Sequence, residues 1–311
     1  MWLLRNDFIE SLLEKARSND KIILVTADLG YGVLDNFERE LPNQFFNVGV
    51  TEQSAVSLAC GLAAAGYRPF VYSIANFPTF RAMEQIRNDM NYMNLPVVIV
   101  ALGEGFSYGT AGYSHHLIED IAAFRAFNNI QIFSPTNLFE VKSSLDEIFN
   151  KSAPSLVRLS SSPTSEIFFK NSMKINSGIN ELIPGINGDI IFHGGMLDEV
   201  FKAEKILRDL EYQPSIKSCH NLNPDLIIDY LQNNSNKKIL IVEEHVRSGG
   251  LGTMFIECAH ESGYTGKISR LGIKCIEPSI VGNQNFLRKS YGLDSNSIVR
   301  AFIELNTSDV N

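Results

Sequence analysis

FFNVGVTEQSAVSLACGLAAAGYRPFVYSI, residues 45–74, reads as a loop, a helix and a strand in immediate succession. From Thr51 to Tyr67 small and apolar residues recur at helical spacing, and Thr51 is the expected N-cap. Gly66 closes that helix, and RPFVYSI then has the aromatic and β-branched content of a strand. Glu52 is thereby expected beside the positive end of a helix.

The same alternation runs outward in both directions. Upstream, a helix over residues 8–18 leads into the strand-like IILVTAD (22–28) and a loop holding Leu29, Gly30, Tyr31 and Gly32. Downstream come PTFRAMEQIRNDM (helix), PVVIVALG (strand), a glycine-rich loop, HLIEDIAAFRAF (helix), IQIFSPT (strand) and SLVRLSSSP (strand). Strands separated by helices imply parallel strands covered on both faces. Residues 166–187 are mixed and weakly periodic, which predicts a linker. A second alternation follows, from GDIIFHGG through PSIKSCH, DLIIDYLQNN and KKILIVEEH to a short strand near 266–271. The expected architecture is α/β with two domains, residues 1–165 and 188–311, each a mostly parallel sheet flanked by helices.

Composition narrows the function. With 311 residues the chain is too long for one small domain. The formal net charge of -8 and the lack of a Lys/Arg cluster argue against nucleic acid. Arg5, Asp7 and Glu10 interrupt the apolar N-terminal residues, unlike a signal peptide, and no run is long enough to span a membrane. Cys60, Cys219, Cys258 and Cys275 are scattered without CxxC spacing, so a reduced, cytoplasmic protein is expected.

Three features could carry chemistry. Glu52 is either an ordinary acid favoured by the helix dipole or a partly buried one poised to exchange a proton. Ile74, Phe77 and Phe80 recur every three residues, as core or as an apolar wall for a flat heteroaromatic ring. The loop GEGFSYGTAGYSHHLIED (103–120) places four glycines close together, which a ligand approaching the backbone would justify. At its end His115 and His116 are either acid/base candidates or a solvent-facing pair. No HxxxH spacing suggests a metal site in this chain.

In this order, the segments TADLGYG, NVGVTEQSAVSLACGLAAAGYRPFVYS, RAMEQIRND, SHHLIED, SPTNLFE and VEEHVRSGGLG resemble the pyrimidine-binding and C-terminal domains of transketolase over nearly the whole chain. The resemblance implies thiamine diphosphate as cofactor. Glu52 falls on the family's acid that hydrogen-bonds the aminopyrimidine and so promotes loss of the thiazolium proton. Phe77 falls on the stacking aromatic, with Ile74 and Phe80 as flanking walls and Asp28 on an acidic position beside the cofactor. His115 falls on a substrate-facing histidine, with His116 and Arg158 as further substrate-binding candidates.

The domain that would hold diphosphate and Mg2+ through a GDG motif has no match here, since Gly188 and Asp189 are followed by Ile190. The resemblance thus points to the smaller subunit of a split transketolase. It implies a diphosphate-binding N-terminal partner subunit, a heterotetramer with two of each chain, sugar substrates and no activity alone. Two positions depart from the family pattern. Ala111 replaces an acid that reads a sugar hydroxyl, and Ser161 replaces a basic residue that grips phosphate. The alternatives are the beta subunit of a 2-oxo acid dehydrogenase, a deoxyxylulose phosphate synthase, a stand-alone enzyme, or a non-catalytic subunit that keeps the fold.

Overall fold

The computed structural model describes residues 4–161 and 178–307. The first unit opens with helix α1 (Leu4–Arg17) and strand β1 (Ile22–Thr26), then α2 (Asp35–Glu40), β2 (Phe45–Asn47), α3 (Glu52–Ala64) and β3 (Arg68–Ile74). It continues through the short α4 (Met83–Gln85), β4 (Val98–Leu102), α5 (Asp120–Phe124), β5 (Gln131–Phe133), α6 (Leu138–Asn150) and β6 (Ser155–Leu159). These six strands form one parallel sheet in the order β2-β1-β3-β4-β6-β5. Every residue of β1, β4 and β6 is buried, as parallel strands with helices on both faces require.

Helix α3 lies on this sheet because its inward positions, Glu52, Ala55, Val56, Ala59, Cys60 and Ala63, fall three or four residues apart and are mostly small. Small side chains let the helix approach β3 closely, which buries even its first residue. The segment read as one helix over 78–90 is broken instead. π-helical turns at Phe77–Arg81 and Ile86–Asn91 flank α4. Pro78 lacks the N–H of a regular ladder, and wide turns of this kind accompany sites where side chains must be re-aimed.

The second unit carries β7 (Ile179–Ile183), β8 (Asp189–Phe192), α7 (Leu197–Asp209), β9 (Ser215–Cys219), α8 (Pro224–Asn233), β10 (Ile239–Val246), α9 (Leu251–Ser262), β11 (Ile268–Ile273), α10 (Gln284–Ser290) and α11 (Ser295–Thr307). Its strand order is β11-β10-β8-β9-β7, parallel except for the antiparallel edge strand β7. The predicted linker is therefore corrected in part. Residues 166–177 lie outside the described residues, but β7 falls inside the same stretch and pairs with β9. Its period is weak because an edge strand buries little, and of its five residues only Asn180 is buried.

The two units meet through apolar packing, with Ile132 and Leu222 in one cluster and Ile118 and Val242 in another, laced with hydrogen bonds. Main-chain hydrogen bonds run between them from Ser134 to the His220 carbonyl (2.8 Å), from Leu222 to that of Ile132 (2.9 Å), from Gly194 to that of Ser134 (3.1 Å) and from Val246 to that of Ile118 (2.8 Å). Among the described residues no helix is long and apolar enough to cross a membrane.

Candidate active site

In the first sheet the chain builds β2 on one side of β1 and all later strands on the other, so the order reverses between β1 and β3. At such a reversal the loops beyond the carboxyl ends of the strands diverge and leave a crevice. Asp28 follows β1, Glu52 follows β2, Phe77 follows β3 and His115 lies in the loop after β4. Four candidates distant in sequence thus share one edge.

Glu52 is the first residue of α3 and only 1% exposed. Thr51 occupies the N-cap position but makes no cap bond, since its hydroxyl turns back to the Val48 carbonyl at 2.9 Å. The Glu52 carboxylate meets the Arg81 guanidinium at 2.6 Å and lies 3.5 Å from the Ser73 hydroxyl. The same guanidinium stands over the Phe77 ring, 4.4 Å from its centroid. His115 meets the Phe77 ring edge-on with centroids 5.2 Å apart. Acid, aromatic face and histidine are therefore contiguous, and Arg81 bridges the first two. Ile74 is half-buried at the end of β3, while Phe80, in the same π turn as Phe77, is more exposed.

Asp28 stands at this edge in a left-handed conformation, with φ of 56°. The Asn47 amide oxygen accepts from the Asp28 N–H and from the Gly49 N–H, each at 3.0 Å, which ties the loop after β1 to the turn before α3. The Asp28 carboxylate is exposed and accepts from the Tyr31 hydroxyl at 2.8 Å.

Two of the four glycines in the loop after β4 have a packing cause. A side chain at Gly105 would run into Glu244, and one at Gly109 would come within 2.5 Å of the Gly282 carbonyl oxygen. Close packing on the second unit, rather than a ligand, excludes a side chain at both. His116 is part of that packing. It is 6% exposed, lies near the Gly109 carbonyl through Nε2 at 3.3 Å, and meets Phe106 edge-on. Burial lowers its pKa below the ordinary value. His116, expected to face substrate, is packed within the loop, whereas His115 is half-exposed beside Phe77.

Arg158, the other substrate-binding candidate, is buried as well. It is the fourth residue of β6, fully buried, with its guanidinium committed on every side. Nε and Nη2 hold the two oxygens of Asp120 at 2.6 and 3.2 Å, and Nη1 donates to Glu104 at 2.9 Å. Glu104 in turn accepts from the Ser134 hydroxyl at 2.8 Å and the Gly195 N–H at 2.7 Å. Burial raises the Glu104 pKa, against the pull of Arg158. Burial first, and then Arg158, push His193 well below its usual value, so it is neutral, with Nδ1 3.2 Å from Arg158 Nη1. This network joins the two units.

The site residue that sequence reasoning missed is Arg81. Its one available signal was its place four residues after Phe77, at the head of the RAMEQIRND segment. That spacing puts two side chains over one another in a helical turn.

Residues 4–165 match the family model described as the transketolase pyrimidine binding domain. The chain is 30% identical over 304 residues to one of the subunits of the apulose-4-phosphate transketolase of Phocaeicola vulgatus, covering 96% of each chain. It is 32% identical to the 1-deoxy-D-xylulose-5-phosphate synthase of Clostridium perfringens, covering 96% of this chain and 48% of that one. Among solved structures, one described as a split gene transketolase, inactive beta4 tetramer, superposes with a TM-score of 0.86 at 27% identity and 99% coverage of both chains. By domain match, full-length likeness and fold, the chain belongs to the transketolase family, as a counterpart of the C-terminal chains of its split members.

Proposed function

We propose that this chain is the smaller subunit of a two-chain, thiamine diphosphate-dependent transketolase that moves a two-carbon ketol unit from a ketose to an aldose acceptor. The observation that carries this reading is the buried Glu52 carboxylate opening beside the face of Phe77. A buried acid at a helix start can accept a hydrogen bond from a protonated ring nitrogen, and an aromatic face can hold a flat heterocycle against it. The residues present therefore fit the pyrimidine half of the cofactor, with Ile74 and Phe80 as walls and Asp28 on the neighbouring loop.

When bound, the cofactor supplies a carbon nucleophile that can cleave a bond next to a carbonyl. This chain's residues prepare that chemistry. Glu52 would keep a proton on the pyrimidine ring nitrogen, and Phe77 would fix the plane of the ring. His115 has its Nδ1 beside the Ser114 hydroxyl at 3.0 Å, which leaves Nε2 to steady or protonate a substrate oxygen at the rim.

The diphosphate and Mg2+ are assigned to a partner subunit, with two copies of each chain in the working enzyme. In support, the chain matches split relatives from end to end but spans about half of single-chain ones, 46% of the Leishmania mexicana transketolase among them. Ser161 is half-buried and cannot pair with a phosphate as a basic group would, and exposed Ala111 offers no carboxylate to a sugar hydroxyl. The substrate is accordingly a sugar gripped less through phosphate than the family's pentose phosphates are.

Reconstitution with a diphosphate-binding chain tests the proposal. Glu52→Gln removes the proton acceptor without changing shape, and kcat of the assembled enzyme should fall about 10²- to 10⁴-fold. Undiminished activity of that variant would refute the catalytic reading.

A further inference from the structure

Arg81 makes two contacts at once, a 2.6 Å ion pair with Glu52 and a stack over Phe77 at 4.4 Å. A guanidinium is planar, delocalised and edged with N–H donors, so it can lie on an aromatic face while donating in its own plane. Those are also the two demands that an aminopyrimidine would make of this site. No other described cation is paired with Glu52, and the Arg81 side chain is 44% exposed, so its head can withdraw into solvent on its flexible stem.

We propose that Arg81 is an internal surrogate for the aminopyrimidine: it occupies the Phe77 face and neutralises buried Glu52 while the cofactor is absent, and it is displaced when the ring binds. The proposal rests on the reading of Glu52 and Phe77 as the pair that holds the pyrimidine. It adds that this pair is never bare. The π turn at Phe77–Arg81 is what makes the arrangement possible, since it carries ring and surrogate on one short segment. A buried carboxylate left without any partner would be costly, and the surrogate removes that cost at the expense of competing with the cofactor.

The test uses the full chain with thiamine as probe, since thiamine carries the pyrimidine but no diphosphate. The Arg81 Nε–Hε NMR cross-peak, identified by its loss in Arg81→Ala, should shift in Phe77→Leu and should move again as thiamine is added to the wild type. If the surrogate is in place in about nine molecules of ten, its removal in Arg81→Ala should tighten thiamine binding about tenfold by calorimetry. Arg81→Lys keeps the charge but not the plane and should fall between, which preserves the test if the alanine variant folds poorly.

A cross-peak indifferent to Phe77→Leu would overturn the proposal. So would equal thiamine affinity in wild type and Arg81→Ala, which would leave the Glu52–Phe77 reading intact. Thiamine binding unaffected by Phe77→Leu and Glu52→Gln, or absent even from the assembled enzyme, would overturn that reading and the surrogate with it.

Discussion

Replacing Arg158 by Met separates a structural clamp from a substrate-binding residue. Arg158, Glu104 and Asp120 have side chains no more than 3% exposed, so the substitution removes one buried cation and strands two buried carboxylates. Glu104 keeps the Ser134 hydroxyl and the Gly195 N–H, while the nearest ion-pair partner left to Asp120 is His245, 3.9 Å away. Breaking a buried pair in this way costs about 3–5 kcal/mol. At about 2–4 °C per kcal/mol, the melting temperature should drop by about 6–20 °C.

The sign with pH is also set. A carboxylate stranded in the folded state has a raised folded pKa, so its contribution is favourable at low pH and is lost as pH rises. The deficit of Arg158→Met should therefore be smaller at pH 5 than at pH 8, read by urea unfolding at both values. Neutralising the stranded acids as well, in the triple variant with Glu104→Gln and Asp120→Asn, should recover most of the loss. A deficit below about 1 kcal/mol at pH 8, combined with a raised KM for the ketose, would refute the clamp and restore a substrate role.

Phe77→Ala removes the stacking face and should weaken cofactor binding by the assembled enzyme about 2- to 10-fold beyond the loss of buried area, read by calorimetry. Gly109→Ala places a methyl against the Gly282 carbonyl, and faster amide exchange at residues 105–117 with unchanged exchange in β1 would show it. Burial pushes Glu243 up to about 7 and His245 down to about 4. Glu243 thus loses stability as pH rises toward 7, whereas His245 loses it as pH falls below its ordinary range. Against wild type, Glu243→Gln should make stability rise more steeply, or fall less, between pH 4.5 and 7, and His245→Asn should do the reverse between pH 4 and 6.5, by chemical denaturation.

The frame was legible because parallel strands and amphipathic helices have sharp periods. The stretch from Phe45 to Ile74 announced α3 and β3, and with them the place of Glu52, while the three-residue β2 reads as loop. What stayed hidden depends on partners far along the chain. SLVRLSSS reads as a strand, yet nothing local says that its arginine is met by Glu104 and Asp120, 54 and 38 residues away. The glycines after β4 were visible as an anomaly, but the cause at Gly105 and Gly109, Glu244 and Gly282, belongs to the other unit. Arg81 was obscured because its contacts depend on a π turn, and a regular helix had been the expectation there.

The loop that carries His115 has one face against the second unit, where Gly105 meets Glu244 and Gly109 meets Gly282, and another that holds exposed Ala111, Tyr113 and Ser114. Mutational drift therefore has room on one side only. A lineage can rewrite the exposed rim to suit a new sugar without disturbing the position of His115. A change on the hidden face must wait for a matching change in the other unit, which contributes none of the candidate catalytic residues yet limits how the loop can evolve.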